Sequence, residues 1–101
     1  MADSPAYASA CQSLKAELTS IVDRFDTFNV IDIWRSASIL HEEIFSVTDL
    51  TIIRLRQLNN IKIVPDVYEI YAEALTNLLL KVNHKAFSSL TSGFHNLTPP
   101  S

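Results

Sequence analysis

Glycine occurs once in this chain, at Gly93, and the four prolines stand at Pro5, Pro65, Pro99 and Pro100. The long stretch between Pro5 and Pro65 therefore has neither of the residues that most often punctuate a fold. A β-rich domain of this size needs several tight turns built on Gly or Pro, which disfavours it here. The scarcity of glycine also excludes the phosphate-cradling loops of P-loop and dinucleotide-binding proteins. Cysteine too occurs once, at Cys11, so no intrachain disulfide forms, and a reducing, cytoplasmic or otherwise intracellular setting is expected. No basic stretch followed by an apolar run opens the sequence, and no apolar segment reaches spanning length. Neither a signal peptide nor membrane insertion is therefore expected. Asn96-Leu97-Thr98 matches a glycosylation acceptor by letter, and with Pro99 directly behind it the match reads as chance.

Strong charge of one sign is also missing. The formal charge is -3, but it is unevenly placed: through Asp49 eight acids face Lys15, Arg24 and Arg35, whereas beyond it Asp66, Glu69 and Glu73 face five bases. That asymmetry can steer opposite ends of neighbouring molecules together. It offers no basic stripe, so no nucleic-acid partner is expected.

What is present is helical periodicity. Tyr7, Cys11, Leu14, Leu18, Ile21, Phe25 and Phe28 recur at alternating spacings of four and three, a coiled-coil-like heptad seam that calls for a partner helix. Ser4 can cap this helix with Pro5 in its first turn, and the helix is expected to run to Phe28. Asp32 can cap a second, whose stripe of Ile33, Ala37, Leu40 and Ile44 is widened by Trp34 and Phe45. The polar run Ser46 to Asp49 leaves two versions open: one helix from Asp32 to Leu58, or a break that makes two. The first is preferred, because no Gly or Pro interrupts it.

Asn59-Asn60 is a credible terminator, and Ile61 to Val64 reads as an extended connector. Pro65 can open the last helix, with Asp66 and Glu69 near its positive end. Its broad stripe runs from Val67 to Leu90, and the helix is expected to stop before Gly93. The expected architecture is all-α: one domain over residues 1–101 in an antiparallel bundle of three long helices, four if the middle one breaks. Residues 94–101 are expected to form a flexible tail.

Not every apolar residue fits such a core. Phe28, Phe45, Ile52, Phe87 and Phe94 do not project onto one interior line, and full burial of such a side chain stabilises by roughly 1.5–3 kcal/mol. Arg54 and Arg56 stand about 200° apart around one helix, so both faces of that segment cannot be plain solvent faces. An interface at Phe45, Ile52, Arg54, Leu55, Arg56 and Leu58 is the reading preferred over ordinary amphipathic irregularity.

Motifs for chemistry fail one by one. His41-Glu42-Glu43 lacks the second histidine of a zinc protease, because Phe45 stands there, and no Glu-x-x-His pair supports a di-iron site. No metal or cofactor is expected. His41 is the formal candidate for phosphotransfer, but no recognised pattern surrounds it, while His84 reads as solvated and His95 lies in the tail. Cys11 sits on the seam with no nearby His, which suits a packed thiol better than a nucleophile. No catalytic residue is assigned, and an enzyme is the less favoured reading.

The expected function is a protein-interaction or assembly module, self-associating as a homo-oligomer or serving as a small helical subunit or adaptor for another protein. The alternative is a carrier or sensor that binds a small apolar ligand inside the bundle, between Trp34, Tyr68 and Tyr71. Packing alone does not choose between them.

Overall fold

Ser4 opens the first helix as expected: its hydroxyl accepts from the Tyr7 N–H at 3.5 Å, and Pro5 takes a first-turn position where a missing N–H is harmless. The structure, a computed structural model, describes residues 4–28 and 32–97, the last seven of these by backbone alone. Helix α1 spans Pro5–Asp23 and tightens into a 3-10 turn over Arg24–Thr27. The sequence suggested one helix to Phe28. The final turn instead takes the tighter form in which terminal carbonyls find partners: the Thr27 hydroxyl donates to the Arg24 carbonyl at 2.7 Å, and Phe28 turns extended.

Helix α2 spans Ile33–Leu58 without interruption, capped by Asp32, whose carboxylate accepts from the Arg35 N–H at 3.0 Å. The Ser46 to Asp49 run does not break it, so the bundle has three helices and not four. The reason is local. Thr48 and Thr51 turn their hydroxyls back onto the carbonyls of Ile44 and Val47, at 2.7 and 3.0 Å, which satisfies them within the helix instead of capping a new one.

The end of α2 falls at the asparagines. Asn60 takes a left-handed conformation with φ 54°, and the Ile61 N–H folds back to the Leu55 carbonyl at 2.9 Å. Ile61 and Val64 then turn into the core while Ile63 stays outside, an extended connector as the sequence suggested.

Helix α3 spans Pro65–Leu97 and passes through Gly93, where a stop was expected. No described glycine needs positive φ, and one glycine costs a helix only about 1 kcal/mol relative to alanine, which 33 residues of helix absorb. Residues 94–97, expected in a tail, therefore continue the helix; 98–101 lie outside the described residues.

Tyr7 fixes how the helices meet. Its hydroxyl oxygen accepts the Asp66 N–H at 3.0 Å, so α1 and α3 start side by side and run the same way, with α2 antiparallel to both. The heptad seam fills the space between: Tyr7, Leu14, Leu18, Ile21 and Phe25 are buried against Leu40, Ile44, Leu55, Val64, Val67, Leu78 and Val82. Cys11 and Phe28 are half-buried at its margin. The fold is a three-helix antiparallel bundle, and the seam is one stave of it, not a two-stranded coiled coil.

Ion pairs close the far end, where Arg24 meets Glu43 at 2.8 Å and Lys81 meets Asp26. These exposed contacts, screened by solvent, add little to stability. Because Lys81 already stands level with the end of α1, α3 outruns its neighbours, and Phe87 and Leu90 are exposed. Among the described residues no helix is long and apolar enough to cross a membrane.

Candidate functional site

The core stripe of α2 is centred between Leu40 and Ile44. About 100° around the helix lies a second stripe, made of Trp34, His41, Phe45 and Ile52, at the spacings of a heptad. On α3 the matching positions beside the core stripe are Tyr68, Tyr71, Leu75 and Leu79. Antiparallel packing lays these two secondary stripes along one flank of the bundle.

Contacts at three levels mark the flank. At one end Trp34, Ser38 and His41 face Leu75, Leu79 and Val82 across an open groove of about 340 Å³. In the middle the Phe45 and Tyr71 rings meet edge to face, centroids 6.5 Å apart at 71°. At the other end Arg56 Nη2 donates to Tyr68 Oη at 3.3 Å. From Trp34 to Arg56 the strip is about 33 Å long at 1.5 Å per residue. Trp34 is 67% exposed and Phe45 54%, with Tyr68 and Leu79 about as open as Phe45. Scattered exposed apolar residues are ordinary; a contiguous aromatic and aliphatic strip of this length is not.

The residues singled out from sequence are redistributed. Phe45, Ile52 and Arg56 lie on this flank, together with Trp34, Tyr68 and Tyr71, which had been assigned to a different reading. Leu55 is a correction: at 1% exposure it faces the core between α1 and α3 and is closed to a partner. Arg54 is exposed on the opposite side of α2, toward α1, and Leu58 is exposed at the end of that helix, off the strip. The carrier reading needed Trp34, Tyr68 and Tyr71 to converge inside the bundle. Trp34 and Tyr68 instead point outward, separated along the axis by about 16 Å, because Trp34 is level with Leu79.

Leu75, Leu79 and His41 belong to the flank and had not been assigned to any interface. The available signal was the width of the α3 stripe, which exceeds what one neighbouring helix can cover.

Among the described residues, chemistry does not gather elsewhere. His41 and Glu42 are exposed, while Glu43 is engaged by Arg24 on the other side of α2. Among the described residues no three His, Cys, Asp or Glu side chains come close enough to hold a metal ion. Cys11 lies near Tyr7 and Asp66. Burial, and next the Asp66 carboxylate, push its thiol above the ordinary range, which opposes thiolate formation. Burial likewise raises Tyr7, against the opposing hydrogen bond from the Asp66 backbone. The Glu43 hydrogen bond raises Arg24 further.

The fold and this flank together define the class: a small three-helix antiparallel bundle with a long, partly apolar flank along α2 and α3. The chain matches no family model, and comparisons with curated proteins and with solved structures find no match either.

Proposed function

We propose that this chain is an assembly module whose working surface is the α2/α3 flank. The observation that carries the reading is the strip in which Trp34, Phe45, Tyr68 and Leu79 stay exposed while Tyr71 and Leu75, between them, are half-buried against the core. Trp, Tyr and Arg are the residue types that most often dominate binding energy at protein interfaces, and Trp34, Tyr68 and Arg56 stand along one line. A three-stave bundle also has a natural position for a further helix in the trough between two staves, where its side chains pack as in a four-helix bundle.

The test is purification of the native chain followed by mass determination of the intact assembly, for the wild type and for Phe45→Glu. The expected result is a wild-type assembly heavier than one chain that falls to the 11.3 kDa single chain in the variant. A wild-type chain that carries nothing and weighs one chain would remove the reading. Phe45 is half-exposed, so the variant is expected to keep its helical circular dichroism.

A further inference from the structure

We infer that the flank is filled by a second copy of this chain, its α2 running antiparallel to the first about a twofold axis through Phe45. This rests on the assembly reading above and adds to it the identity and register of the partner.

The outward stripe of α2 is complementary to its own reverse. Trp34 and Arg56 lie eleven residues to either side of Phe45, Ser38 and Ile52 seven, and His41 and Asp49 four. When a second α2 runs the opposite way across Phe45, the partner's guanidinium reaches the open face of the Trp34 indole, a favourable cation–π geometry. The partner's carboxylate likewise stands opposite the His41 imidazole, to accept its N–H. Both pairs recur at the other end, as a self-complementary twofold interface requires. A parallel pairing would instead set like charges together, Arg56 on Arg56 and Asp49 on Asp49.

Among the described residues the charged members make no ion pair within the chain. The ion pairs among the described residues join Arg24, Lys81, Glu43, Asp23 and Asp26, and neither Arg56 nor Asp49 takes part. The hydrogen bond to Tyr68 Oη keeps the Arg56 guanidinium over the flank.

Area bounds the contact. A strip about 33 Å long and about 15 Å wide on each copy buries about 1,000 Å² in total, in the range of small, transient interfaces. The dimer is expected to be reversible, with the partner's α2 as the fourth stave of each bundle.

Two experiments on the full chain test register and occupant. In a Cys11→Ser background, a short bis-maleimide is expected to join Phe45→Cys to itself and Trp34→Cys to Arg56→Cys when these are mixed. Trp34→Cys alone should stay uncoupled, because its symmetry mate is about 33 Å away. By sedimentation, His41→Asp is expected to raise the dissociation constant at least about tenfold by facing acids with acids, and adding Asp49→His to restore it to within about threefold. Coupling of Trp34→Cys to itself, or a dimer indifferent to Phe45→Glu, overturns the register. A chain that stays single at high micromolar concentration overturns the second copy. If that single chain still retains another protein through the flank, and Phe45→Glu releases it, the second copy falls while the assembly reading stands.

Discussion

Tyr7 does two things at once: its ring fills the start of the α1 seam, and its hydroxyl oxygen accepts the Asp66 N–H in the first turn of α3. The ring's place was legible from heptad spacing, which says which residues face inward. The hydrogen bond was not, because it joins positions 59 residues apart in a chain with no local pattern relating them. Tyr7→Phe keeps the packing but leaves the Asp66 N–H without this acceptor, and is expected to cost about 1 kcal/mol in urea unfolding. The same residue gives a pH dependence. Burial raises both Tyr7 and Cys11, so the folded chain holds protons that the unfolded chain releases. Their stabilisation is complete below the ordinary thiol and phenol values and is lost as pH rises through the raised ones. Unfolding free energy should decline above the ordinary thiol value, and the decline should be shallower in Cys11→Ser/Tyr7→Phe. An equally steep decline in that double variant would contradict the assignment.

At the scale of the elements, starts were easier to read than stops. Ser4-Pro5, Asp32 and Pro65 each open a helix where their chemistry places one, because caps act within a single turn. Asp32→Ala is expected to lower stability by about 1 kcal/mol, measured by thermal unfolding, since the Arg35 N–H loses its acceptor. The difficult stretches were Ser46 to Asp49 and Gly93. Side chains that can end a helix can also bond back into it, as Thr48 and Thr51 do, and sequence alone does not decide between the two. Gly93 lacks the left-handed turn that would have made it a stop.

At the scale of the whole molecule, the bundle was legible because three apolar stripes on three long helices have few ways to be buried. The working surface was only half legible. Phe45, Ile52 and Arg56 were visible as surplus on α2, and Trp34, Tyr68 and Tyr71 as a loose aromatic set. That they share one flank depends on the antiparallel register of α2 against α3, which fixes Phe45 beside Tyr71 and Arg56 beside Tyr68. Leu55 was misplaced for a different reason: next to Arg54 and Arg56 in sequence, it turns inward by helical phase. The central claim, that this flank closes on a second copy, has a built-in reporter, because Trp34 is the only tryptophan of the chain and lies on the strip. The most direct measurement is its fluorescence emission maximum from nanomolar to high micromolar chain concentration. The account predicts a shift to shorter wavelength with rising concentration in the wild type, as the indole leaves water, and none in Phe45→Glu. A wild-type emission that stays at the fully solvated maximum throughout would contradict it.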